Sequence, residues 1–380
     1  MLLNFNGARL REARYYRQLS ISQLAEKSGV SKQMISKYEH NESKPSAKTF
    51  ENLIGILKFP LSFFQQEDNF SVEDFGTFYR SRLTSTQSEK KPSEFLKKYL
   101  AIIVDFFEEY VNFPLLEDLD LSEDPFIASD QLRKEWNLGD NPITNMMYLL
   151  ELKGFHLANI KSTSQKVDAF GSPISVNCHK YYCILIDQDD SSFYRQQFSL
   201  AHELGHWVLH SKTTNPQELD PQEYRDMERQ ANAFASNFLL PSDAFSKDIE
   251  NIGWDLNEYL NLKNKWKVSV SSMVYRAHAL NIISTDDYIK LQKKISARGW
   301  RNSEPLDDLH LATKPTALKQ AFNLLIKENI IGDESLATMI EQKYKLCLPP
   351  DIIAELVGIP VKQVTYSKHD KIVNLKVLRD

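Results

Sequence analysis

The chain of 380 residues is 26% charged and 42% hydrophobic, the balance of a globular protein with room for two or three domains and a sizeable core. No uninterrupted apolar stretch reaches the length of a membrane span, MLLNFNGARLREAR lacks the apolar core of a signal peptide, and Cys178, Cys183 and Cys347 make no disulfide framework, so a cytoplasmic protein without membrane contact is expected. The formal net charge of −5 is uneven: residues 1–66 hold ten Lys/Arg against five Asp/Glu, a local +5 that leaves −10 for the remainder, which points to nucleic acid at one end only.

From Asn6 to Gln65 the pattern predicts a compact five-helix module. Leu10 and Ala13 mark a first helix, Ser20 caps a second carrying Leu24 and Ala25, Gly29 makes the turn, and Ser31 caps a third carrying Ile35 and Tyr38. Small Ala25, Gly29, Val30 and Ile35 let two helices cross closely, as in a helix-turn-helix. The stretch LREARYYRQLSISQLAEKSGVSKQMISKYEHNESKPSAKTFENLIGIL resembles the Xre/Cro/phage-repressor family. That resemblance implies a homodimer on a double-stranded DNA operator. It implies that the helix after Ser31 enters the major groove, with Lys32, Gln33 and Ser36 at base edges and Lys37 and the Asn41 to Lys44 loop near phosphates. Where the family often has a phosphate-contacting Gln at the start of its second helix, this chain has Ile21. The competing reading is a helix-turn-helix that docks a protein; the basic charge and polar recognition face argue for DNA.

Residues 68–122 read as a polar, broken connector that ends in a long helix, LKKYLAIIVDFFEEYV, closed by Pro114, with an aromatic face for packing. Two helices follow between Asp124 and Lys153, the second ended by Gly154. FHLANIKS, DAFGSPISVN and KYYCILID then read as short strands, with turns at Gly171 to Pro173 and around His179. Cys178, His179 and Cys183 fit core or edge positions better than a second metal site. Asp189 to Ser191 are expected to cap the next helix.

That helix carries FSLAHELGHWVLH, with His202, Glu203 and His206 in the order H-E-x-x-H. Residues four apart on a helix have Cβ atoms about 5–6 Å apart, so both imidazoles can grip one metal ion, Zn2+ by the usual reading of this motif. Glu203, on another side of the turn, is placed as the general base. Phe198, Ala201, Gly205, Val208 and Leu209 form an apolar stripe for the opposite side. Zinc needs a third protein ligand and an open position for water. Glu228, in the first turns of the amphipathic helix MERQANAFASNFLLP, supplies it, with Asn232 one turn on as its supporting neighbour; Glu223 is the next carboxylate in line. His210 lies eight residues beyond His202, roughly 12 Å along the axis, too far to share the ion.

HELGHWVLH, ERQANAFASNFLLP and LKNKWKVSVSSMVYRAHALNII together resemble the ImmA/IrrE metallopeptidases across about residues 125–300. The likeness implies a gluzincin-like zinc endopeptidase with His202, His206 and Glu228 as metal ligands and Glu203 as catalytic base. It also implies a protein substrate, a partner repressor of helix-turn-helix type, whose cleavage relieves repression in a stress, mobile-element or toxin-antitoxin locus. A non-catalytic regulator that uses the same fold to sense a ligand or dock a partner is the alternative, because the residues that bind zinc and those that use it are the same.

Beyond Pro241, helices are expected through Ala297. Near the end, IIAELVGIPVKQVT repeats the spacing of LAEKSGVSKQMIS, with Ala354, Gly358, Ile359 and Val364 matching Ala25, Gly29, Val30 and Ile35. This is either a second helix-turn-helix or, lacking a basic face, a packed helix corner. The fold class expected is mainly α with a small β-sheet (α+β), divided into a DNA-binding domain (1–67), a connector (68–122), a metallopeptidase domain (123–300) and a C-terminal helical domain (301–380).

Overall fold

The computed structural model describes residues 4–74, 87–161, 169–187, 192–211, 216, 218–250, 252 and 254–366. It is mainly helical with one small mixed sheet. Helices α1 (Gly7–Tyr16), α2 (Ile21–Ser28), α3 (Lys32–Glu39) and α4 (Ala47–Leu57), followed by a 3-10 turn over Leu61–Phe64, build the first module. Each helix start satisfies its orphan N–H groups locally. Asn6 caps α1, Ser20 and Gln23 form a capping box on α2, and Ser31 and Ser46 cap α3 and α4. Gly29, at φ 68°, ends α2 in the left-handed region and lets α3 turn across it. Leu10, Ala13, Leu24, Ile35 and Leu53 meet with no exposed surface at the crossing. Beside them the Arg14 guanidinium donates to both Glu39 carboxylate oxygens at 2.5 and 2.8 Å. Removing one partner would strand a buried charge, at a cost of about 3–5 kcal/mol.

The module does not hang on its connector. Strand β1 (Val72–Asp74) and helix α5 (Gln87–Glu108) follow it, and α5 packs along α1. Tyr15 stacks on Phe95 with ring centroids 6.0 Å apart, and Glu12 accepts from Lys98 Nζ at 2.9 Å and from Tyr99 OH at 3.0 Å. The stretch Thr84 to Pro92, read from sequence as part of the connector, lies partly outside the described residues; from Gln87 on it is helix.

Helices α6 (Pro125–Glu135) and α7 (Met146–Leu152) lead into strands β2 (His156–Ile160), β3 (Ala169–Val176) and β4 (His179–Asp187). The sheet order is β1-β3-β4-β2, with β2 parallel to β4 and the other pairs antiparallel. Gly171 to Pro173, expected as a turn, lies inside β3, where Gly171 and Pro173 face Ile184 and Tyr182 of β4. The hairpin instead turns at Asn177 and Cys178, both at positive φ (49° and 72°), the geometry that matches strand twist in a two-residue loop. Glycine is needed at 171 because a Cβ there would stand 2.8 Å from Tyr182 Cε1 and 3.0 Å from Glu203 Oε2.

Helices α8 (Phe193–His210) and α9 (Pro221–Leu239) pack against each other, α8 lying on β3. Strand side chains alternate across the sheet. Ala158, Ile160, Tyr181, Cys183 and Leu185 enter the core shared with α5, the first module and the C-terminal helices; Leu157, Tyr182, Ile184 and Ile186 enter the core under α8. Helices α10 (Ser242–Ile249), α11 (Leu256–Trp266), α12 (Val270–Ala279) and α13 (Thr285–Ala297) complete the second core. Helices α14 (Ala317–Lys327), α15 (Leu336–Tyr344) and α16 (Pro350–Val357) return to the first. Gly358, at φ 75°, joins α16 to the four-residue α17 (Val361–Val364) as Gly29 joins α2 to α3; Ile359 and Val364 are buried, so this corner packs into the core. No described helix is long and apolar enough to cross a membrane.

Candidate metal centre and recognition surface

His202, Glu203 and His206 are each no more than 1% exposed, because α8 is covered by the sheet and by α9. The expected cap at Asp189 to Ser191 lies outside the described residues; Ser192 holds the N-cap position without a side-chain bond. Glu228 projects from α9, whose Asp220 and Glu223 form a capping box; Glu223 is thus occupied at the helix start. His202 Nε2 and His206 Nε2 lie 3.0 Å apart, and the Glu228 carboxylate approaches them at 3.4 Å on each side. These three are the residues whose ligand atoms converge for a metal ion among the described residues.

The protons around this cluster are accounted for by its outer neighbours. His202 Nδ1–H donates to Asn232 Oδ1 at 3.1 Å, and Asn232 in turn gives its amide to the Glu228 carbonyl oxygen at 2.8 Å. His210 Nε2–H donates to Gln230 Oε1 at 3.0 Å, which leaves His210 Nδ1 to accept from His206 Nδ1–H at 3.2 Å. Both Nε2 atoms therefore present lone pairs to each other and to the carboxylate. Burial pushes the His206 pKa down to about 3, so its imidazole is neutral, the form that binds metal.

The donor set fits zinc. A tetrahedral ion with bonds of about 2.0–2.1 Å separates neighbouring ligand atoms by roughly 3.3 Å, against the 3.0 and 3.4 Å found here. Glu228 Oε1 is also buried without a hydrogen-bond partner, and a cation supplies what that atom lacks.

Glu203 stands apart from this triangle. Its Oε2 accepts the Gly171 backbone N–H at 2.6 Å, which fixes the carboxylate against β3, and the Tyr182 ring lies against the same glycine. The sequence motif located His202, Glu203, His206 and Glu228, but not Gly171, Gln230 or the part played by His210. The spacing His206 to His210 carries the same one-turn relation as the ligand pair, a signal for a neighbour of the ligand. An isolated glycine within a strand pattern likewise marks a close backbone approach.

On the first module Lys32, Gln33, Lys37 and Lys44 are exposed, and Ser36 is half-buried. Ile35 and Tyr38 anchor the other side of α3 in the core. Asn41 is also exposed, yet its Oδ1 accepts the Gly7 N–H at 2.7 Å, bracing the start of α1. Ile21, which opens α2, is half-exposed.

Residues 9–64 match the family model described as helix-turn-helix, and residues 153–278 match the M78 peptidase model described as IrrE N-terminal-like domain. Among curated proteins, a "Putative HTH-type transcriptional regulatory protein" of Methanococcus maripaludis is 29% identical over 133 residues, 35% of this chain and 38% of its own length. A protein of the same description from another strain is 27% identical over 146 residues, 38% of this chain and 41% of its own. The chain thus spans about two fifths of the length of these relatives. It carries an Xre-type helix-turn-helix domain at its N-terminus and, after it, an IrrE/ImmA-type domain of the M78 peptidase family.

Proposed function

We propose that this protein is a cytoplasmic DNA-binding regulator whose IrrE-like half is a zinc endopeptidase that cuts a partner repressor and so relieves repression. The observation that carries the reading is the convergence of His202, His206 and Glu228 at ion-binding separation, with Glu203 on another side of the same turn held by the Gly171 N–H. His202, His206 and Glu228 would hold a zinc ion there, which would supply a Lewis acid and a water acidified to a pKa of about 7. The Glu203 carboxylate, its plane set by the Gly171 N–H, takes the proton of the attacking water and returns it to the leaving amine. Asn232 and His210 keep the two ligand imidazoles in the tautomer that leaves Nε2 unprotonated. On DNA the chain acts as a homodimer, α3 offering Lys32, Gln33 and Ser36 to base edges and Lys37, Asn41 and Lys44 near phosphates.

The deciding experiment incubates the zinc-loaded full chain with the helix-turn-helix repressor encoded beside it. A single cut that Glu203→Gln abolishes supports the reading. The relatives' names speak of regulation alone, and this favours a non-catalytic regulator that uses the metal fold for docking. A repressor that binds the chain tightly and stays intact would establish that second reading.

A further inference from the structure

Beside the metal centre a cavity of about 540 Å³ opens between α8, α9, α12 and α13, within the size range of small-molecule and peptide pockets. It shares two residues with the centre's own surroundings. Ser199 stands three residues before His202, and Asn232, the hydrogen-bond partner of that histidine, stands four residues after Glu228. Along a helix those offsets are about 4.5 Å and 6 Å, one to two residues of extended chain at about 3.4 Å each.

Its chemistry is one-sided. Arg195, Arg229 and Arg301 line it together with the hydroxyls of Ser271, Ser272 and Tyr275. Arg229 is paired with Asp226. Arg195 donates to the Arg301 carbonyl oxygen and, like Arg301, has no carboxylate partner among the described residues. The lining carboxylate, Glu304, is 5% exposed and already neutralised. It meets Lys263 Nζ at 3.0 Å and accepts the Val270 and Ser271 N–H groups at 2.8 and 3.0 Å. Two guanidiniums thus face a donor-rich space with no anion to balance them, and arginine is the side chain best matched to a carboxylate fork.

We infer that this cavity is the subsite that takes an acidic side chain of the peptide substrate, within two residues of the bond cut. The inference rests on the proposed endopeptidase reading and adds the substrate class to it. The test is a digest of a chymotrypsin-derived peptide library by the zinc-loaded full chain, with the cut sites read by mass spectrometry. Asp or Glu is expected at one position within two residues of the cut. The enrichment disappears in Arg195→Ala/Arg301→Ala and turns to Lys or Arg in Arg195→Glu/Arg301→Glu.

Cutting without an acidic preference overturns the subsite and leaves the peptidase standing. If no form cuts any peptide, the peptidase reading fails, and the subsite is decided by binding alone. Fluorescein-labelled hexaglutamate should then bind the Glu203→Gln protein saturably and about tenfold more weakly after Arg195→Ala/Arg301→Ala. Equal binding by the two proteins overturns the inference. Arg195 is half-buried and Arg301 exposed, and matched zinc content and thermal midpoints verify that the variants fold.

Discussion

The two sides of the sheet handle buried polar groups in opposite ways. On the α5 side two buried charges close on complements. Lys97 gives its protons to Asp74 and to Ser172 Oγ at 2.7 and 2.9 Å. Asp105 accepts from Tyr344 OH at 2.6 Å, from Tyr181 OH at 2.9 Å and from His179 Nδ1 at 2.9 Å. On the α8 side the inner atoms of His202, His206 and Glu228 are all acceptors turned toward one another, and the donors lie on the outside. A polar network that is complete within itself holds a fold together. One that converges on a point with a single kind of atom is arranged for something brought in from outside.

The contrast is broken most severely at Glu203. Glu203→Gln should lower cleavage of any accepted peptide by about 100-fold to 10,000-fold while metal analysis still finds zinc; His206→Ala should lose both. Equal cleavage by Glu203→Gln would remove the carboxylate from the chemistry.

Next comes His156, on the α5 side of the contrast, buried between Phe113 and Tyr181. Burial pushes its pKa down to about 4 from an ordinary 6.5. The unfolded chain therefore takes up a proton that the folded chain refuses. Stability is fully present above pH 6.5 and falls as pH drops toward 4, by roughly 3 kcal/mol in all. Urea unfolding at pH 7.5, 5.5 and 4.5 should show that loss in the parent and a shallower one in His156→Leu; parallel profiles would mean that this histidine is solvated.

The outer layer of the metal centre should give an intermediate effect. His210→Ala removes the acceptor that orients His206 and should weaken zinc binding about 10-fold to 100-fold, measured by competition with a chelating dye. Gln230→Ala, one bond further out, should weaken it less. Identical affinities would reduce the chain of histidines to packing.

The smallest effects belong to the exposed helix α3. Lys37→Ala should lower DNA affinity alike for all sequences and reduce the salt slope by about one. Gln33→Ala should relax base preference by about 1–3 kcal/mol at one position. Both are measured by titration of operator DNA at several salt concentrations. A sequence-selective loss from Lys37→Ala would reverse these two roles.

How much of this was legible in the sequence follows from the range of each signal. The caps at Ser20 and Ser31, the turn at Gly29 and the H-E-x-x-H pair are interactions within one turn of helix, so spacing alone revealed them. Glu228 was reachable because its helix has its own clear period. Gly171 was misplaced into a turn because glycine is ambiguous until the atoms opposite it are known, here Glu203 and Tyr182 of other elements. The sequence also gave no sign that Val72 to Asp74 would become a strand, because three residues carry no measurable alternation and gain their pairing from β3, some hundred residues away. For the same reason the docking of α1 on α5, through Tyr15 and Glu12, could not be read from either segment by itself.

That short first strand has a consequence for how the molecule comes apart. Val72 pairs with Val176 and Asp74 with Ile174, while Leu157 and Ala158, neighbours on β2, belong to opposite cores. Neither core can lose its packing without stripping one face of a strand whose other face is still buried. Amide protons in β3 and β4 should therefore exchange only when the whole chain opens, at one common free energy, with no earlier release of the N-terminal helices as a separate cooperative unit.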